Sequence, residues 1–442
     1  MEVVVDEVTP LNASLSALYK RSFAYATVTD RLPVIITTII DYLARSKRSI
    51  PGIPSDADPA LLEEEIKDCT GDLSELKYLV QTAKPISYFT EDDCDTQIWN
   101  SLIKREEAKL DELTFYTGTW MFVECYMYRR VREIFYSRKI MKEWDPFGEK
   151  KMDALDSSLP IMKPLVTHLQ NDNILDSTPL RTTDLIIELT SLLKHSLWAN
   201  RMDLSLLSGN LDKVDHNLLV DQWNNLILLD DSEKVLEVLF SPDFPSNDSK
   251  IIDYVLDNAG LELLCDLCLA DFLTSRCKIS KIRFRVKRIP WFVSDVTVRD
   301  FNKTLDRLMS DDPTLQCFAK RWKKYLDDGI WSLHEDPFWC LGVCFDEMPE
   351  LDPSLYSELE KSHLLVLKGD LNYRKLVQDK NWLPTESFGG AIGRFQPCPF
   401  VALRTNKADT IAGLPPGVAE TVSAASPDWL TSGQYGIIQF HS

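Results

Sequence analysis

The sequence has none of the short signatures that usually announce a phosphate, nucleotide or acyl-transfer site. It contains no Gly-x-x-x-x-Gly-Lys-Ser/Thr and no Gly-x-Gly-x-x-Gly, which excludes a P-loop and a dinucleotide fingerprint. There is no Gly-x-Ser-x-Gly elbow. The six histidines (His168, His195, His216, His334, His363 and His441) show no metal-ligand spacing. Ten cysteines lie scattered, mostly in apolar contexts. Cys265-x-x-Cys268 lacks a partner pair and sits in a leucine-rich stretch, and Cys340 and Cys344 read the same way. They are reduced core thiols of a cytosolic protein, not a zinc or redox site.

Basic charge is also in short supply. Lys and Arg number 49 against 68 Asp and Glu, a net charge of −19. That balance argues against a nucleic-acid partner, which calls for a basic face. The same charge repels a phosphorylated substrate at long range, so an anion site must be assembled locally from metal, Lys, Arg and helix N-termini. The longest apolar run, residues 32–43, is cut by Pro33, Thr37, Thr38 and Asp41. It falls short of the ~20 residues a membrane-spanning helix needs. Residues 1–7 are too acidic and too short for a signal peptide. The expectation is no membrane partner and a cytoplasmic protein, with the nucleus as a second compartment.

What is present is ordinary globular composition, 44% hydrophobic and 26% charged, in 442 residues. That length exceeds one typical core. Residues 1–20 read as a loose arm, 21–216 as a helical region and 217–442 as an α/β domain. In the helical part, Thr29 or Asp30 caps a helix with Pro33 in its first turn. Residues 55–58 form a linker. Residues 60–79 form an amphipathic helix interrupted at Gly71, with Glu63-Glu64-Glu65 as its solvated face. In 120–134, Trp120, Val123, Met127, Val131 and Ile134 recur at helical spacing and face a core, with Glu124 and Tyr128 on another face. Helices continue through 158–170 and 183–197.

Beyond 217 the pattern alternates. Strand candidates are 223–229, which also reads as a helix, and 251–256, 282–293, 363–367, 401–403 and 435–440. Helices fall at 231–239, capped by Asp231, and at 261–272, 297–309 and 313–326. Alternating strands and helices imply a mostly parallel sheet covered on both faces, an α/β fold.

The chemistry gathers at strand ends. Residues 251–256 are apolar except for Asp253; Asp257-Asn258 and a glycine follow, and then the leucine-rich helix. In an open α/β sheet, ligands bind outside the carboxyl ends of the strands, beside helix N-termini. Asp257, Asp295 and Asp370 each follow an apolar strand, so Asp257, Asn258 and Asp295 can share one cation such as Mg²⁺ or Mn²⁺. Any one of them alone also reads as a turn or cap residue. Lys368, Arg374, Arg404 and Lys407 bring cations suited to phosphate.

These stretches carry a resemblance. Val123-Glu124-Cys125-Tyr126-Met127-Tyr128-Arg129-Arg130, Ser196-Leu197-Trp198-Ala199-Asn200, Leu256-Asp257-Asn258-Ala259-Gly260, Pro290-Trp291-Phe292-Val293-Ser294-Asp295 and Lys368-Gly369-Asp370-Leu371-Asn372-Tyr373-Arg374-Lys375 run in order along most of the chain. With Arg404-Thr405-Asn406-Lys407, an Arg-Thr-x-Lys signature, they resemble the damage-control phosphatase family, once called domain of unknown function 89, in its acidic-residue methyltransferase branch. Ala199 stands where that family's pattern has glycine.

The resemblance implies a helical N-terminal region packed on a Rossmann-like α/β domain. It implies metal-dependent hydrolysis of sugar phosphates such as fructose 1-phosphate, with Mn²⁺, Co²⁺ or Ni²⁺ and Mg²⁺ as an alternative. It places the metal and the catalysis on Asp257, Asn258 and Asp295. Substrate falls near these and near Asp370, Leu371, Asn372, Tyr373, Arg374, Lys407 and Asn200, with Asp203 a further candidate. The same branch implies an alternative, methylation of protein carboxylates with S-adenosylmethionine held near Glu262 and Asp295. Asp257-Asn258-Ala259-Gly260 has one glycine where such cofactor loops carry two or three.

Overall fold

A computed structural model describes residues 4–46, 50–54, 56–171, 182–207, 223–241 and 250–442. Seven strands, β1 (Ile227–Asp230), β2 (Ile251–Val255), β3 (Lys281–Arg285), β4 (Trp331–His334), β5 (Leu364–Lys368), β6 (Phe400–Thr405) and β7 (Gly436–His441), form one sheet. Their order is β1-β7-β6-β5-β2-β3-β4, parallel throughout except for the antiparallel pair β6 and β7. This is the mostly parallel α/β sheet that the alternation predicts. From β2 the chain moves outward through β3 to β4, whereas from β5 it moves the other way to β6. The topological switch therefore falls between β2 and β5.

The central strands are apolar on both faces, as a covered parallel sheet demands. Ile252, Tyr254, Leu364, Val366, Val401 and Leu403 join one apolar cluster with the helices Gly148–Asn171, Thr182–Leu207 and Leu261–Ser275. Val255, Leu365, Leu367, Phe400 and Ala402 join the other, with the helices Leu32–Arg45, Pro59–Thr82 and Trp120–Tyr136. Asp253, the polar break in β2, is fully buried. It accepts from Arg283 Nε at 3.1 Å and from Arg285 Nε at 2.7 Å on β3. The three charges are tolerated inside because Glu358 and Asp336 match the charge that Asp253 leaves over on Arg283 and Arg285.

Several boundaries differ from expectation, each for a local reason. Residues 4–20 are tied down: Asn12 N donates to Asn381 O at 2.7 Å and Leu15 N to Asp379 O at 2.9 Å. Ser22, not Thr29 or Asp30, caps the first helix, accepting from Tyr25 N at 3.1 Å. Thr29 bonds back to Tyr25 O at 3.0 Å within a π-helical turn, Thr27–Arg31, that leads into Leu32–Arg45. The resulting stretch, Phe23–Arg45, is long and apolar enough by length and composition to cross a membrane. Here Val28, Leu32, Ile36, Ile39 and Leu43 are buried in the core.

The helix Pro59–Thr82 runs straight through Gly71. Glu65 leaves the solvated face and accepts from Lys139 N at 2.8 Å and Met141 N at 3.1 Å, in the turn after the helix Trp120–Tyr136. Asp231 does not cap the helix Ser232–Phe240; its Oδ2 accepts from Phe440 N at 3.0 Å on β7. Of residues 223–229, Asn224–Leu226 form a short 3₁₀ turn and 227–229 belong to β1. The β-rich run 282–293 stops as a strand at Arg285. The expected boundary at 216/217 lies outside the described residues.

Candidate active site

Asp257 and Asn258 leave the carboxyl end of β2, and Gly260 caps the helix Leu261–Ser275 behind them. Asp295 does not end a strand. The chain overshoots β3 and folds back, so that Ala259 N donates to Ser294 O and Val296 N to Asp257 O, both at 2.8 Å. Asn258 and Asp295 thereby form an antiparallel bridge. The reversal is made by Phe292 and Val293, at φ +43° and +74°. That conformation is costly for bulky and β-branched residues and recurs at functional sites. The Phe292 ring is held by stacking on Tyr128, centroids 4.6 Å apart.

Across the switch, Gly369 follows β5 at φ +84°, and a Cβ there would lie 1.9 Å from Asp257 Oδ2. Only glycine leaves room for that carboxylate. Asp370 opens the helix Gly369–Leu376 and braces the loop after β6, accepting from Arg404 Nε at 2.8 Å and Lys407 N at 2.9 Å. The Lys407 ammonium donates to Asn200 Oδ1, and Asn200 Nδ2 donates to Glu262 Oε2 at 3.1 Å. Glu262 Oε2 also accepts from Asn258 Nδ2 at 2.8 Å, and Ser294 Oγ donates to Asn258 Oδ1.

These groups floor a cavity of about 800 Å³, roofed by Arg31 and Tyr42 near the N-terminal helix. Burial, then the charges of Asp295 and Glu262, pushes the Asp257 pKa well above the usual carboxylate range. Burial pushes Asp295 up to about 6, although Lys287 opposes it. Burial lowers Lys407 from the usual lysine value. Asp295 Oδ2 is buried 3.4 Å from Lys287 Nζ and accepts no hydrogen bond among the described residues. Two buried carboxylates in one corner, one with an undonated oxygen, fit a hard divalent cation. No group of three or more His, Cys, Asp and Glu among the described residues could hold a metal. A cation here therefore draws on the Asn258 amide oxygen and on water or substrate as well.

Of the residues singled out in the sequence, Asp257, Asn258, Asp295, Glu262, Asn200, Asp370, Leu371, Arg374 and Lys407 line this cavity. The Arg374 guanidinium is already paired with Glu124 at 2.7 Å and Asp379 at 2.8 Å, and lies over Trp120. Asn372 and Tyr373 turn into the protein. Asn372 Nδ2 bonds Lys368 O at 2.7 Å, and the Tyr373 hydroxyl bonds Gln439 at 3.0 Å. Lys368 also turns inward, to Ser196 Oγ at 2.7 Å and Asp266 at 3.2 Å. The Asp203 side chain lies outside the described residues. Lys287 and Arg31 join the site without having been singled out, and nothing in their local sequence sets them apart; Ser294 lies in the stretch 290–295, where the resemblance implies a role for Asp295 alone.

Fold and site define an α/β protein with a switch-point pocket of hard oxygen donors and cations. Residues 27–422 match the model of the damage-control phosphatase ARMT1-like domain, and the chain belongs to that family. It is 39% identical over 440 residues to damage-control phosphatase ARMT1 of Danio rerio, covering 97% of each chain. It is 37% identical over 437 residues to the Homo sapiens protein of that name, covering 97% of this chain and 98% of the relative. A crystal structure of a DUF89 family protein from Pyrococcus horikoshii aligns with 95% of this chain and 98% of its own, at 12% identity and a TM-score of 0.40. Membership makes the chain a phosphatase of the metabolite damage-control class.

Proposed function

We propose that the chain hydrolyses phosphate monoesters of small sugars, fructose 1-phosphate among them, with a divalent cation held by Asp257, Asn258 and Asp295. The observation that carries this is the undonated, buried Asp295 Oδ2 beside Asp257 at the switch between β2 and β5. Mn²⁺, Co²⁺, Ni²⁺ and Mg²⁺ all accept such oxygens. A bound cation would neutralise charge on the phosphoryl oxygens. Lys407 faces the same corner and supplies a point charge to the phosphoryl group. Asp370 holds the Lys407 backbone in place, and the N-terminus of the helix Leu261–Ser275 adds its positive end. Such a sparse set suffices because phosphoryl transfer needs mainly positioning and charge stabilisation.

The methyl-transfer alternative gains nothing from this geometry. Both oxygens of Glu262 are engaged, one by two amides and one by Lys368 at 3.4 Å. The test is phosphate release from fructose 1-phosphate by metal-stripped protein, before and after Mn²⁺ or Co²⁺ is restored. Release should require the metal. Asp257→Asn and Asp295→Asn, checked for folding, should each lower kcat by about a hundredfold or more, as loss of a key electrostatic group does. Release without metal, or undiminished in both variants, contradicts the proposal.

A further inference from the structure

Five side chains at the cavity floor form one hydrogen-bonded chain, Lys407 to Asn200 to Glu262, and Ser294 to Asn258 to Glu262. Its direction is set at fixed points. The Lys407 ammonium can only donate, so it must meet the oxygen of Asn200. Glu262 Oε2 accepts from the NH₂ groups of both Asn200 and Asn258, and Asn258 Nδ2 donates as well to Asp257 Oδ2 at 2.7 Å. Glu262 is buried, and its other oxygen lies 3.4 Å from Lys368 Nζ. An amide turned toward Glu262 through nitrogen leaves its oxygen on the opposite side. For Asn258 that oxygen is the one beside Ser294; for Asn200 it is the one holding Lys407.

We infer that Glu262 is a positioning residue: a single carboxylate orients two amides, presenting Asn258 Oδ1 to the cation and anchoring Lys407 through Asn200. The inference rests on the cation site proposed above. It assigns to Glu262 neither metal ligation nor contact with a cofactor. It explains why an acidic residue sits buried in the first turn of the helix Leu261–Ser275, where it has no solvent and does no capping.

Replacing Glu262 separates its acceptor oxygen from its charge. Glutamine keeps an oxygen for both amides and turns its NH₂ toward Lys368, which retains Ser196 and Asp266. Leucine offers no acceptor, so Asn200 is left with Lys407 alone and Asn258 with Asp257 and Ser294, and the link between the two amides is lost. The measurement is the Mn²⁺ dissociation constant of the full chain, by calorimetry, without substrate. Groups that orient a metal ligand are worth about 10–100-fold in affinity. Glu262→Leu should fall in that range, whereas Glu262→Gln should lose less than about tenfold. Wild-type affinity in Glu262→Leu overturns the inference. Equal losses in the two variants also overturn it, because the charge and not the acceptor would then matter. Should Glu262→Leu fail to fold, Glu262→Gln decides alone, a loss of about tenfold or more being fatal. Wild-type protein that binds no Mn²⁺ removes the cation site itself, a result distinct from any difference among variants.

Discussion

At the scale of single residues, the tightest constraint is between Gly369 and Asp257. Gly369→Ala would put a methyl group 1.9 Å from the Asp257 carboxylate and force an L side chain to φ +84°. The backbone conformation alone costs about 1–2 kcal/mol. The expected outcome is destabilisation of at least that size by urea unfolding, with loss of Mn²⁺ affinity as Asp257 is displaced. Unchanged metal affinity would show that this carboxylate takes no part. Asp257 and Asn258 were legible because an apolar run, a polar pair and a glycine mark a strand end. The Gly369 contact was not, because it joins strands far apart in sequence. Lys368 was expected near phosphate as a cation at a strand end, and Asn372 and Tyr373 near substrate through the family resemblance. Lys368 ends the buried β5, and the helix that follows rotates about 100° per residue, which carries Asn372 and Tyr373 to its inner face.

At the scale of elements, the helix Leu261–Ser275 is buried on nearly every side, yet it carries Glu262, Asp266 and Asp271 inward. Its leucines made the helix legible; its acids could not be placed, because composition does not reveal a partner. Asp271 meets Trp322 Nε1 at 2.9 Å and Tyr325 OH at 3.1 Å. Burial nevertheless pushes its pKa from 3.8 to about 6. The folded state therefore binds the extra proton between these values. The stability this contributes is complete below 3.8 and is lost as pH rises through about 6. Asp271→Asn removes the titration, so its stability relative to wild type should improve from pH 4 to pH 7. Parallel stability curves would contradict this account.

The segment after β3 shows the converse. Its β-rich composition reads as a strand, but Phe292 and Val293 take positive φ because the loop must return Asp295 to Asn258. Tertiary demand overrode local propensity, and Asp295 reaches Asn258 through this returning loop, not from the end of a strand.

At the scale of the whole molecule, the sheet order makes the site. The connections leaving β2 and β5 run in opposite directions at the switch, and Asp257 and Gly369 face each other across it. The alternation of strands and helices made the α/β class legible. The order of the strands was not, since pairing between distant segments leaves no local mark. Nor was the role of the helices Gly148–Asn171 and Thr182–Leu207, which share an apolar cluster with β2 and the helix Leu261–Ser275. With a net charge of −19, the protein offers exposed acids in plenty, so metal binding alone does not identify a site. Anomalous diffraction from crystals grown with Mn²⁺ does. One strong peak per chain, bonded to oxygens of Asp257 and Asp295, is the predicted result. A structure with Mn²⁺ only on surface carboxylates, and none in that corner, would contradict the account at its centre.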